Sequence, residues 1–420
     1  MSVSSNFKDQ STAAVSQDFQ SSRTIVLLSL LGLIALCVAV ITSPNRFIYD
    51  EVFFIKYVDL LKTHGFSREF MLSLPGAPGP LVGVVHYLAE PLTSLKPANM
   101  RLVNFSIFLA VVLIVSRMTP GKNIWVAALI AMSVPMVWVI AGLALSEMPA
   151  MLCVAASVLF LIRAMQANDR TGDYPMSTVV LSAAFLGVAI WGRQPYALLA
   201  SLPIALAARD RKFVRSALVY LAVIAAFALP LLLIWKGLVP PKMQTDFQGL
   251  VFRHLVLSLG YAGICMLIVA PQSMRPRAEI LMILAIASAL SVYFLPSIGQ
   301  VPLRSLVEAY LPGQVVQVYA LFCGAAFVLL GACFAYSVIT SIVAARDRVV
   351  YLASVGLLVC AVAPFFIAGQ YSSRYTAMAL PFFVLRATQS GERSGGYLLL
   401  LVLGNLIGVL SLFGYYYGKS

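Results

Sequence analysis

The sequence predicts an all-α polytopic membrane protein with about thirteen transmembrane helices. Two observations carry that expectation. The 420 residues are 61% hydrophobic and only 11% charged, whereas a soluble domain carries roughly 25% charged residues. The apolar residues fall in long runs separated by short polar turns, and at ~20 residues per spanning helix the chain has room for on the order of a dozen spans. This composition excludes a soluble enzyme, a disordered chain and a nucleic-acid-binding module. The charge sum of +13 is therefore read against a membrane, with no nucleic acid as partner.

The elements follow in order. Residues 1–23 are polar and rich in Ser and Gln, and read as a cytoplasmic tail. The run Thr24–Thr42 is longer than a signal-peptide core and lacks a small-residue cleavage site, so it reads as a retained first span. Further spans are expected at Leu102–Ser116, Ile124–Leu143, Pro149–Ile162, Met176–Trp191, Pro195–Ala207 and Phe213–Trp235. The remaining six lie at His254–Ala270, Ile280–Leu295, Val316–Val343, Val349–Ile367, Tyr375–Leu385 and Gly396–Phe413. Residues 24–420 form one transmembrane domain with no soluble domain attached. Its first outer loop, 43–100, is long enough to hold juxtamembrane helices.

Loop charge sets the orientation. The stretch Pro78–Leu95 is interrupted by His86 and Glu90 and bracketed by prolines, so it reads as an interfacial helix. With it excluded as a span and the N-terminus inside, every cytoplasmic loop holds at least two basic residues. Examples are Arg163 with Arg170, Arg275 with Arg277, and Arg346 with Arg348. The opposite short loops hold Glu147 alone, Arg193 alone, Arg304 with Glu308, and Arg374 alone. That asymmetry matches the positive-inside rule, and counting Pro78–Leu95 as a span would invert it.

Polar residues then collect on the outer face. Asp50, Glu51, His86 and Glu90 lie in the first loop, and Arg101 and Asn104 open the second span. Glu147, the Arg193-Gln194 turn and the Arg374-Tyr375 turn sit between apolar runs with almost no loop to solvate them. Ionisable groups at membrane depth are costly and mark function unless they are anchors or caps. Both plainer readings stay open: Arg193 or Arg374 as a snorkelling anchor, and Glu147 in Ser146-Glu147-Met148-Pro149 as a helix-start acid. The six cysteines all lie inside apolar runs, where a thiol acts as a small hydrophobe. No spacing of Cys or His suggests a metal.

The ordered motifs resemble those of the GT-C superfamily of polyprenyl-linked glycosyltransferases. They are Tyr49-Asp50-Glu51 after the first span, PGAPGP at Pro75–Pro80 opening a helix, RLVN at Arg101–Asn104, and RQPY at Arg193–Tyr196. Within the superfamily the sequence is most similar to the Alg10/Die2-type dolichyl-phosphate-glucose glucosyltransferases. Where that family has a histidine soon after Asp-Glu, VFFIK stands here.

The resemblance implies a membrane enzyme moving a sugar, with inversion, from a polyprenyl-phosphate donor to a hydroxyl of a glycan or glycolipid acceptor. Asp50 is the expected general base, with Glu51 as second catalytic acid. Arg193 and Arg374 are the expected donor-phosphate ligands, followed by Arg101 and Arg304. His86, Glu147, Gln194 and Tyr375 are expected around the acceptor or sugar. No cofactor is expected, and a divalent ion on Asp50, Glu51 and Glu147 is the less favoured arrangement. Membrane lipids surround a monomer in a bacterial inner membrane with its site on the periplasmic side. The competing reading is a transporter or flippase of a lipid-linked sugar.

Overall fold

The computed structural model describes residues 23–118, 123–244, 249–302, 304–367, 369–389 and 395–418. The polar tail, 1–22, lies outside them. Helix α1 spans Arg23–Ile41. Three helices then fill the predicted first loop: α2 (Glu51–His64), α3 (Arg68–Ser73) and α4 (Leu81–Thr93). They are followed by α5 (Pro97–Met118), α6 (Ile124–Ser133), α7 (Pro135–Gly142), α8 (Glu147–Thr171) and α9 (Met176–Gly192). A 3-10 helix at Gln194–Ala200 leads into α10 (Ser201–Arg209) and α11 (Val214–Trp235). The rest are α12 (Phe252–Val269), α13 (Ala278–Phe294), α14 (Arg304–Tyr310), α15 (Gly313–Ala344), α16 (Arg348–Val362), α17 (Arg374–Ala377), α18 (Leu380–Gln389) and α19 (Gly395–Tyr417).

The chain is an all-α integral membrane protein. Among the described residues, eight helices are long and apolar enough to cross a membrane, nine if the bent pair α6–α7 is one span. The two shorter apolar helices are α9 and α13. Thirteen spans are not reached by this measure, and the reason is local. Pro195–Ala207 divides into a 3-10 helix and a nine-residue helix, and Tyr375–Leu385 divides between α17 and α18. At 1.5 Å rise per residue neither piece covers the ~30 Å apolar thickness. Large side chains such as Leu233, Phe294, Phe322 and Leu399 point outward, an apolar exterior that suits lipid rather than water.

The run Ile124–Leu143 is continuous in hydropathy yet bends by 95° between α6 and α7. Pro135 is the cause. It brings no N–H to the helix and pushes the preceding residue out of helical geometry; Val134 is extended, at φ −79°, ψ 104°. Backbone freed at membrane depth survives only when it is satisfied inside protein. Trp138 Nε1 donates to Met132 O (2.8 Å), Tyr416 Oη to Gly142 O (2.7 Å), and Asn104 Nδ2 to both Leu143 O (2.7 Å) and Leu145 O (2.9 Å). The bend thus delivers segment 143–147 to the N-terminus of α2.

One ion pair ties that junction together. Arg101 on α5 and Glu51 on α2 are both fully buried. Arg101 Nε donates to Glu51 Oε1 (2.9 Å) and Nη2 to Oε2 (2.6 Å). The other donors go to Ser43 Oγ (2.8 Å), Pro44 O (2.7 Å) and Arg46 O (2.8 Å). Glu51 also accepts from Ile48 N (3.0 Å) and Ala144 N (2.8 Å). A guanidinium has five N–H donors and a carboxylate about four acceptor positions, so both groups are saturated. Removing one member strands a buried charge, at about 3–5 kcal/mol. Arg101→Met is therefore expected to destabilise the protein by about that much, and Glu51→Gln combined with it to recover part of the loss. Thermal unfolding of the two single variants and the double variant checks this; additive losses would sink it.

Candidate active site

Immediately before Glu51, at the start of α2, stands Asp50. It occupies the helix N-cap position but makes no capping bond, and its side chain is 44% exposed. Adjacent helical residues project about 100° apart. With Glu51 turned inward to Arg101, Asp50 faces a polar cavity of about 710 Å³. Its approach is strained: Tyr49 has φ +50°, a conformation that costs a non-glycine residue on the order of 1–3 kcal/mol and concentrates at functional sites.

Two arginines converge on this cavity. Arg374 Nη2 donates to Asp50 Oδ2 at 2.6 Å and its Nε to Ser372 Oγ at 2.9 Å. Its guanidinium lies 6.0 Å from the Tyr415 ring centre. Arg193 Nη2 lies 3.3 Å from Glu147 Oε1, and its guanidinium 5.2 Å from the Tyr375 ring centre. Both arginines are largely buried. Burial alone would lower their pKa values, but the carboxylates outweigh it and both are raised, so each stays cationic. Arg374 Nη1 and Arg193 Nε are buried without a hydrogen-bond partner among the described residues. The arrangement therefore offers an anion two unfilled cationic donors beside one accessible carboxylate.

The Pro/Gly turn builds the wall. The Tyr57 hydroxyl lies 2.9 Å from both Gly76 O and Pro78 O and shares its proton between them. A Cβ on Gly79 would come within 2.1 Å of Trp191 O, so only glycine lets this turn pack against the segment that carries Arg193. Behind that segment lies a second, mostly apolar cavity of about 320 Å³. Ala77, Pro78, Arg193 and Tyr375 line both cavities. A third, apolar groove of about 510 Å³ opens beside Phe66 and Trp191, whose rings stack 5.5 Å apart.

The structure thus brings Asp50, Arg193, Arg374 and Tyr375 to one cavity, with Glu147 buried behind Arg193 and Gln194 lining the apolar neighbour. It does not bring Glu51 or Arg101 there. Glu51, expected as second catalytic acid, and Arg101, expected as a phosphate ligand, have all their donors and acceptors engaged in the saturated pair described above. His86 is fully buried, has no partner among the described residues on either ring nitrogen, and is not among the residues lining these cavities. Arg304 begins α14, but its side chain lies outside the described residues. Residues that the sequence reading missed are His254, Tyr261, Tyr371 and Tyr415, which line the polar cavity from distant segments. Among the described residues no group of three or more His, Cys, Asp or Glu could hold a metal ion.

Fold and site together define a polytopic helical membrane protein with a carboxylate-and-arginine cavity opening beside an apolar one. No family model and no curated protein matches the chain. Two solved structures are similar: ArnT from Cupriavidus metallidurans in the apo state, and the same protein bound to undecaprenyl phosphate. They are 17% and 16% identical, with TM-scores of 0.44 and 0.45, over 93% of this chain and 77% of theirs.

His86 generates a pH prediction. Burial pushes its pKa down to about 4, so it folds as the neutral form. Stability from this burial is complete above the unfolded value near 6.5 and is lost as pH falls from there towards 4; in full it is on the order of 3 kcal/mol. His86→Met is expected to flatten that part of the acid loss. Unfolding temperatures of both proteins between pH 7 and pH 4.5 measure it, and parallel curves would rule it out.

Proposed function

We propose that the chain is an integral-membrane glycosyltransferase of the GT-C kind, transferring a sugar from a polyprenyl-phosphate donor to a hydroxyl of a glycan or glycolipid acceptor. One observation carries the reading. An accessible carboxylate, two arginines with unfilled donors, and an apolar cavity sharing walls with the polar one all meet at a single point. A polyprenyl-phosphate sugar has the same three parts: a reacting sugar, a phosphate and an apolar chain. The ordered YDE, PGAPGP, RLVN and RQPY motifs support the same class, and their Alg10/Die2-type likeness makes glucose the first sugar to test.

In this mechanism Asp50 takes the acceptor hydroxyl's proton as the oxygen attacks the anomeric carbon. The bond from that carbon to the phosphate oxygen breaks, and its electron pair leaves with the lipid phosphate. Arg193 and Arg374 stabilise the leaving charge. The cavity behind Arg193 takes the first part of the lipid chain. Inversion follows from a single displacement. Glu147 holds Arg193 in place, and Gln194 and Tyr375 border the phosphate and the sugar.

In this reading the protein is a monomer in a bacterial inner membrane with its site on the periplasmic side, and the loop charges support a cytoplasmic N-terminus. The positions of charged clusters support that orientation. Arg348 joins Asp169 and Asp210 (both 3.2 Å) near the C-terminus of α8. Glu147 is at that helix's N-terminus, about 33 Å away at 1.5 Å per residue.

The test is donor turnover in nanodiscs. Undecaprenyl-phosphate-linked glucose, mannose, galactose and N-acetylglucosamine are supplied with a membrane-extract acceptor pool, and free undecaprenyl phosphate is followed. Release is expected with one donor, and Asp50→Asn is expected to slow it by about 10²–10⁴-fold, the usual contribution of a general base, while donor binding persists. Full turnover in Asp50→Asn would remove Asp50 as base. No release from any donor, with movement of donor across a vesicle membrane, would replace the enzyme by a lipid-sugar transporter.

A further inference from the structure

We propose that His254, Tyr261 and Tyr371 form a sugar-binding face in the polar cavity, which seats the donor's sugar ring. The proposal rests on the donor-site reading above and assigns a part of the cavity that reading leaves unused.

The three side chains come from two segments and are braced as one wall. Tyr371 is the hub. Its ring centre lies 5.6 Å from that of His254, 6.1 Å from Tyr261 at an interplanar angle of 19°, and 6.0 Å from Tyr375, edge-on. Two hydrogen bonds tie the segments together: Val251 N donates to Phe365 O (2.9 Å), and His254 Nδ1 lies 2.7 Å from Ile367 O. A carbonyl can only accept, so Nδ1 carries the proton and the neutral ring leaves Nε2 as an acceptor. Tyr261 is held from behind by an edge contact with Phe327, at 5.2 Å.

The chemistry of this wall fits a sugar better than it fits packing. Buried aromatic rings elsewhere, such as Phe108, Phe213 and Phe382, sit in the apolar core, whereas these tyrosine and histidine rings line a polar space. An aromatic face carries partial negative charge. The C–H bonds on the face of a sugar ring carry partial positive charge and lie flat against it, while hydroxyls at the ring's edge seek hydrogen bonds. Arg253, Gln300 and Gln370 line the same cavity and offer those partners together with His254 Nε2. The location is also right. Tyr371 touches Tyr375, whose ring carries Arg193, so a sugar on this wall lies next to a phosphate held by Arg193.

The experiment uses full-length protein in nanodiscs, titrated by native mass spectrometry. Its probes are undecaprenyl phosphate and the same lipid carrying glucose, mannose, galactose or N-acetylglucosamine. At least one sugar-bearing lipid is expected to bind about three- to tenfold more tightly than the bare lipid. Tyr371→Ala is expected to abolish that gain and leave the bare lipid's Kd unchanged. Tyr371→Phe keeps the ring and should keep the gain, which separates loss of the face from loss of fold. The proposal is overturned if no sugar improves binding, if Tyr371→Ala keeps the gain, or if it weakens bare lipid equally. Failure of the wild type to bind bare undecaprenyl phosphate would instead overturn the donor-site reading itself.

Discussion

The Glu51–Arg101 pair is the constraint on which the rest of the site depends. Two charges are taken wholly out of water, and each is compensated by every bond its chemistry allows. Such a pair contributes little net stability compared with apolar packing of the same volume. What it does contribute is position. Arg101 gathers the carbonyls of Pro44 and Arg46, and Glu51 gathers the amides of Ile48 and Ala144. The chain leaving the first span, the start of α2 and the turn after the broken helix are thereby fixed to one another. Asp50 and Tyr49 lie on this frame, which can hold Tyr49 at its unfavourable φ because its neighbours are held on both sides.

The broken helix belongs to the same arrangement. With the 95° bend at Pro135, Ala144 N reaches Glu51 Oε1 at 2.8 Å. Pro135 turns the chain back inside the protein, and Asn104, Trp138 and Tyr416 satisfy the carbonyls that the turn exposes. Three residues after Ala144 comes Glu147, which opens α8 and pairs with Arg193. One proline therefore sets the positions of both buried carboxylates.

Much of this was legible in the sequence, and the limits have physical causes. Hydropathy marks the apolar runs well, because lipid contact is a property of composition. It misses the break at Pro135, because a bent helix pair buried in protein is as apolar as a straight span facing lipid. The acidic pair, the Arg193 turn and the Arg374 turn are conspicuous as ions where ions are costly. Which of two neighbouring acids faces the cavity is not conspicuous, because it depends on Arg101, fifty positions away. Arg101 itself looks like a ligand for a substrate until its five donors are traced to the protein. His254, Tyr261 and Tyr371 escape notice for a different reason. Single aromatic residues in apolar runs resemble core, and only the bonds between the segments at 251–254 and 365–367 bring them to one wall.

The two arginines of the cavity look alike in sequence, yet their partners make them unequal. Glu147 is 1% exposed and held within its own turn, so Arg193 keeps its neutralising partner whatever enters the cavity. Asp50 is 44% exposed, so water can replace Arg374 around its carboxylate at small cost. An anion arriving between the two guanidiniums would therefore compete with Asp50 and not with Glu147. While Arg374 holds Oδ2, that oxygen is not open to an acceptor hydroxyl. Under the proposed reaction, the donor's phosphate would draw Arg374 to itself and leave Asp50 free to accept a proton. The carboxylate would be open to the acceptor hydroxyl only when a donor is present to react, so the same contact that binds the leaving group would also time the proton transfer.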